Sequence, residues 1–158
     1  MTDLTEYLER KGITFEVLTH ERAFTGIAEA RALGVDAHVV VKTVIVESRG
    51  EHVAMVLPAE EHLDLKLVRE VLDDPDARLA DEETIVRDFS WAEPGALPPI
   101  APLLGIDVIV DPSVPDTGPV LFAAGRQTVS LKVGAEDLFG HQPVQFSQIS
   151  DVWSGART

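Results

Sequence analysis

Apolar residues recur along the chain with two periods, and the switches between them predict an order of helices and strands. Leu4, Tyr7 and Leu8 fall at helical spacing behind polar Thr2 and Asp3, and Lys11-Gly12 supplies a basic last turn and a glycine stop. An opening helix is predicted there. Ile13, Phe15 and Val17 then alternate with Thr14, Glu16 and Leu18, the period of a half-buried strand. His20 to Phe24 shows no period and is expected to be loop. Thr25 is placed to cap a second helix that carries Ile27, Ala30 and Leu33 and stops at Gly34. Residues 39–46 form a β-branched run, Ser48-Arg49-Gly50 a glycine turn, and residues 52–58 a second run, which together read as a hairpin over 39–58.

Beyond the hairpin, Asp64 is placed to cap a helix with Leu65, Val68, Val71 and Leu72 on one face, broken at Asp73-Asp74-Pro75. Residues 81–86 read as a short helix with its acids in the first turn. Between Phe89 and Gly105 the periodicity collapses. Pro94, Pro98, Pro99 and Pro102, with Gly95, exclude regular structure over residues 90–102 and leave a stiff loop, a length more often functional than accidental. Strands are expected at residues 107–111, 120–123 and 128–133, with a turn at residues 124–127 and a last short helix at residues 135–139. Without strict βαβ alternation, this order predicts an α+β fold: a mixed, mostly antiparallel sheet with flanking short helices.

Composition narrows the functions. A length of 158 residues suits one domain, expected over residues 2–151 with a short tail at 152–158. No apolar run approaches the ~18 residues of a membrane span, and the first residues lack the basic and apolar parts of a signal peptide, so a cytoplasmic protein without a membrane partner is expected. The absence of cysteine excludes disulfides, thiolate ligands and a cysteine nucleophile. With 13 basic against 27 acidic residues, the net charge of −14 argues against an extended grip on DNA or RNA. A site that touches only the end of a nucleic acid stays open.

The residue that breaks the pattern is Lys42, a cation inside a β-branched strand. An ammonium there is costly unless it is paired or reaches solvent, so the strand is either an edge or the wall of a polar pocket. Other chemistries lack their motifs. His20, His38, His52, His62 and His141 are scattered without the i, i+4 pairs of zinc sites, and no metal or other cofactor is expected. Phosphate-loop glycine patterns and the Gly-x-Ser-x-Gly elbow are absent. The pairs Glu60-Glu61, Asp73-Asp74 and Glu82-Glu83 read as solvated faces. What remains is a pocket made from Lys42, the stiff loop with its free backbone N–H groups, and a glycine turn at Gly125.

These residues resemble the YbaK/ProX family of aminoacyl-tRNA deacylases, related to the editing insertion domain of bacterial prolyl-tRNA synthetases. Val41-Lys42-Thr43-Val44 matches the family's strand lysine and Gly95-Ala96-Leu97-Pro98-Pro99 its Gly-x-x-x-Pro loop. Residues 120–133, with Gly125, and the following Asp137-Leu138 match its closing elements. The resemblance implies hydrolysis of the ester that joins a wrongly attached amino acid to the 3′-terminal adenosine of tRNA. A small amino acid on tRNA-Pro is the expected substrate, the acceptor end of tRNA the partner, and a synthetase a possible second partner. It casts Lys42, Gly95 and Ala96 as catalytic: the lysine on the terminal nucleotide, the two backbone N–H groups on the ester carbonyl. Thr43, Leu97, Pro98, Pro99, Gly125, Gln127 and Thr128 would bind substrate. Several members carry a histidine where this chain has Gln127, which leaves the attacking water to backbone groups or marks a shifted specificity. A second reading stays open: a catalytically idle module that binds an aminoacyl or nucleotide ligand or docks on a synthetase.

Overall fold

The computed structural model describes residues 2–151, so the tail lies outside the described residues. In chain order the elements are α1 (Thr2–Arg10), β1 (Phe15–Thr19), α2 (Gly26–Leu33), a 3-10 turn (Ala37–Val39), β2 (Val41–Ser48), β3 (Glu51–Pro58) and β4 (His62–Leu63). They continue with α3 (Leu65–Leu72), β5 (Arg78–Leu79), α4 (Glu82–Asp88), α5 (Ala101–Leu104), β6 (Asp107–Val110), β7 (Pro119–Arg126), β8 (Val129–Gly134), α6 (Ala135–Gly140), β9 (Gln145–Phe146) and β10 (Ser150–Asp151).

The predicted caps are in place. Thr25 accepts from Ala28 N and Asp64 from Lys66 N, and Asp81, expected inside the first turn of its helix, instead caps it by accepting from Thr84 N; each meets a helix donor that has no intrahelical partner. The β2–β3 hairpin closes through Arg49 and Gly50, both at positive φ (52° and 78°), the backbone of a primed turn. That turn sets the register, which pairs Lys42 with Leu57 near the open end of the hairpin.

A five-stranded sheet runs β5-β2-β3-β6-β9 and a three-stranded one β1-β8-β7. A parallel bridge between Val40 and Leu121 links them, just before the lysine strand begins. Pairing is antiparallel except at β3–β6 and β6–β9, so the α+β, mostly antiparallel expectation holds. The main core joins α1 (Leu4, Tyr7, Leu8) to the sheets through Val56, Phe122 and Leu131. Each such side chain, fully withdrawn from water, contributes about 1.5–3 kcal/mol.

Local departures have local causes. The strand expected from Ile13 starts at Phe15, because Ile13 N–H closes the end of α1 on Leu8 O (2.9 Å) behind Gly12 at φ 70°. Helix α5 begins inside the proline-rich run. Pro102 sits in its first turn, where no N–H is needed. Of the turn expected at residues 124–127, residues 124–126 are instead strand, because an irregularity between Ala123 and Arg126 absorbs Gly125 (φ 87°). The chain reverses one step later, at Gln127-Thr128. Strands β4, β5, β9 and β10, two residues each, are too short to show a period. Of the acidic pairs read as solvated, Glu61 and Asp74 are buried, each held by serine hydroxyl donors.

Candidate active site

Along β2, Val41 and Ile45 are buried, while Lys42, Thr43 and Val44 between them are only partly covered. The gap is the floor of a cavity of about 250 Å³. Its other walls are Phe24 to Ile27 and Glu29 from the start of α2, Ala59 after β3, Gly95 and Leu97 from the proline-rich loop, and Ala123 of β7. Helix and strand meet closely because Gly26 has no side chain: a Cβ there would lie 2.7 Å from Ala59 Cβ. Gly95 is more constrained still. Its φ is 77°, and a Cβ would lie 2.4 Å from the carbonyl oxygen of Phe24, so both conformation and close approach demand glycine.

Burial lowers the Lys42 ammonium below lysine's ordinary pKa, and the charge of Glu61 draws it partly back. Lys42 Nζ donates to Ala59 O at a long 3.4 Å, which leaves most of its donor capacity unused. Glu61 is fixed from behind by Ser113 Oγ (2.9 Å) and Ser150 Oγ (2.5 Å). Thr43 Oγ1 is the one buried side-chain polar atom among the described residues without a partner. An unmade hydrogen bond at a buried hydroxyl costs about 1–3 kcal/mol. The N–H groups of Gly26, Ile27 and Gly95 likewise have no partner among the described residues. One cation and several unused N–H donors around one cavity suit an anion or a polarised carbonyl.

A second cavity, also about 250 Å³, shares Thr43, Val44, Gly95 and Leu97 with the first and continues over Ile45, Leu79, Ile85 and Val86. It is an apolar extension of the same site.

The structure thus gathers Lys42, Thr43, Gly95 and Leu97 and sets the other expected residues apart from the cavity wall. Ala96 N–H donates to Glu93 O (3.1 Å), whereas the N–H groups of Gly95 and Leu97 have no partner among the described residues. Pro98 and Pro99 are buried, and the carbonyl of Pro99 accepts from Gln142 Nε2 (3.0 Å). Gly125 brackets the loop: its N–H donates to Ala96 O (2.8 Å) and its carbonyl accepts from Glu93 N (2.8 Å). Gln127 is a buried clamp. Its Nε2 donates to Pro94 O (2.8 Å), its Oε1 accepts from Arg22 Nη1 (2.6 Å), and its backbone N–H donates to Glu93 Oε1 (2.8 Å). The carbonyl of Thr128 accepts from His20 N (3.0 Å).

Sequence reasoning missed the α2 wall, above all Glu29, which looks like any helix-surface acid but is 5% exposed. It also missed that His38, Glu60 and Glu61 bring one ligand atom each within 4.8 Å of one another. His38 Nδ1 is already paired with Glu60 Oε1 (2.6 Å) and Glu61 Oε1 with the two serines, so the protein's own groups account for these contacts.

The frame and the cavity define a class: an α+β protein with a lysine-bearing pocket beside an apolar slot. Residues 20–140 match the aminoacyl-tRNA editing domain, and the chain belongs to that family. Among solved structures it is similar to the hypothetical protein APE2540, with a TM-score of 0.83 and 26% identity over 94% of this chain and 99% of the other. It is also similar in fold to a protein provisionally described as a trans-editing enzyme for prolyl tRNA synthetase (TM-score 0.75, 17% identity, 94% of each chain). A scaffold from a study of epitope backbone grafting shares the fold as well (TM-score 0.80, 17% identity, 95% and 96% of the two chains). No curated protein sequence matches the chain.

Proposed function

We propose that this pocket hydrolyses the ester between a wrongly attached amino acid and the 3′-terminal adenosine of tRNA, and that a small amino acid on tRNA-Pro is its substrate. The observation that carries this reading is the convergence of Lys42, Thr43 and Gly95 on one cavity inside the editing-domain match. Lys42 holds the terminal nucleotide by a charge-assisted hydrogen bond. Gly95 N–H polarises the ester carbonyl and stabilises the oxyanion as it forms, and the Gln127 and Gly125 contacts hold the loop in place for that task. Thr43 and Leu97 form the wall that senses the amino-acid side chain. One methylene at such a wall changes affinity by about 1–3 kcal/mol.

The net charge of −14 confines contact to the acceptor end and leaves the rest of tRNA recognition to a synthetase partner. The domain over residues 2–151 acts in the cytoplasm and needs no cofactor. The test is deacylation of tRNA-Pro charged in turn with alanine, cysteine and serine, and of tRNA-Ala charged with serine. Hydrolysis of at least one small aminoacyl ester well above the spontaneous rate is expected. A pocket that binds aminoacyl-adenosine analogues yet cleaves none of these esters would be an idle binding module instead.

A further inference from the structure

The proposed chemistry leaves open what takes the proton from the attacking water, since Gln127 is not a base and its amide is tied to Arg22 and Pro94. The wall of the cavity supplies a group. Glu29 lines it, and apart from Lys42 no other titratable side chain does so among the described residues. Ser130 Oγ donates to Glu29 Oε2, and Ser130 is wholly buried on β8. Glu29 Oε1 has no protein partner among the described residues, yet it is not one of the sealed, unpartnered atoms. That oxygen therefore keeps some exposure to solvent, and Glu29 is one of the residues that line the cavity.

Behind Ser130 stands His20, half-buried after β1, with Nε2 at 2.8 Å from Ser130 Oγ and Nδ1 at 2.7 Å from Glu21 O. A carbonyl only accepts, so Nδ1 carries a hydrogen. Ser130 has one hydrogen to give. If it points to Glu29, Nε2 must donate to Ser130, and the trio is imidazolium plus carboxylate. If it points to Nε2, Glu29 must donate instead, and the trio is imidazole plus carboxylic acid. The two arrangements differ by a proton passed through one hydroxyl, without movement of any heavy atom.

We infer that Glu29 is the general base of this pocket and that Ser130 relays its proton to and from His20. The inference rests on the proposed hydrolysis. Water attacks the ester carbon held at Gly95, its O–H bond breaks, and the proton passes to Glu29. As the tetrahedral intermediate collapses, the bond to the 3′-oxygen breaks and the proton passes from Glu29 to that oxygen, releasing the amino acid and intact tRNA. No further reactant is needed. Burial raises the Glu29 pKa, with Ser130 and His20 drawing it back, which brings the carboxyl nearer the pH at which a base works best.

Two measurements test this together. Steady-state deacylation by Glu29→Gln, Glu29→Asp and Ser130→Ala is compared with wild type. Glu29→Gln should lower kcat about 10²- to 10⁴-fold with KM within about threefold, and Glu29→Asp should restore part of the rate. Wild-type kcat in Glu29→Gln overturns the base. In parallel, nitrogen NMR of the His20 ring at one fixed pH is compared in wild type, Ser130→Ala and Glu29→Gln. A displaced Nε2 signal in both variants is expected, and an Nε2 signal unmoved by Glu29→Gln overturns the relay. A wild type that cleaves no ester while its Nε2 signal still responds to Glu29→Gln sinks the editing reading and keeps the relay.

Discussion

Glu29 and Asp111 are both withdrawn from water, at 5% and 1% exposure, yet their carboxyls shift in opposite directions. For each the largest influence is burial, which pushes the pKa up. At Asp111 the donors override it: Ser113 N (2.9 Å), Ser113 Oγ (2.6 Å), Ile149 N (2.8 Å) and Ser150 N (2.9 Å) all point at the carboxylate, and its pKa falls below the ordinary value. Glu29 has one protein donor, Ser130, and stays raised. Donor count separates a carboxylate that fastens the chain from one left ready to exchange a proton. Asp111 ties the end of β6 to the last strand, whereas Glu29 faces the cavity.

The largest way to break the contrast is Asp111→Ala. It strands the N–H groups of Ile149 and Ser150 in the interior, and each unmade bond costs about 1–3 kcal/mol. We expect a loss of about 3 kcal/mol, seen as a fall of about 6–12 °C in melting temperature. A loss below about 1 kcal/mol would show that the network does little for stability. A smaller effect appears in acid. Because the folded pKa of Asp111 lies below its unfolded value near 3.9, its contribution is present above about pH 4 and disappears as pH falls through the folded value. Urea melts at several pH values should show a steeper acid loss in wild type than in Asp111→Ala, and parallel curves would contradict this.

The smallest effect is the most telling. A raised folded pKa favours folding below the unfolded value near 4.3 and that contribution is lost as pH rises through the folded value, so ionised Glu29 costs stability at pH 7. Glu29→Gln should therefore melt at or slightly above wild type at neutral pH, and lose that advantage below about pH 4. A clear fall in melting temperature at pH 7 would put Glu29 with Asp111 as a fastening group.

Much of this molecule was legible in its sequence wherever local rules agree with the fold. The α1, α2, α3 and α4 periods arrive with their own caps or stops, and the β2–β3 hairpin carries its turn chemistry in Arg49-Gly50. Lys42 stood out because a cation contradicts its strand, and Gly95 because it sits among prolines in a run without period; that Phe24 O leaves room there only for glycine is visible in the structure alone. Other features were illegible for a common reason. The pairing of α2 with β2 is a tertiary event, so nothing in Ala28-Glu29-Ala30 reveals that Glu29 faces inward toward Ser130, 101 residues away in sequence. The same holds for Gln127, whose partners lie on Arg22, Ala23, Glu93 and Pro94. Its backing of the proline-rich loop looks from sequence like a substrate contact.

The measurement that tests the central claim most directly compares Lys42→Ala with wild type on the small aminoacyl esters of tRNA-Pro, with melting curves taken alongside. Since Lys42 makes only one long hydrogen bond and is held below its ordinary pKa by burial, its removal should leave the melting temperature unchanged or slightly raised. Deacylation should fall at least about a hundredfold, as expected for a lost charge-assisted contact of about 1.5–3 kcal/mol combined with misplacement of the ester. A Lys42→Ala protein that folds normally and hydrolyses these esters at the wild-type rate would contradict the account.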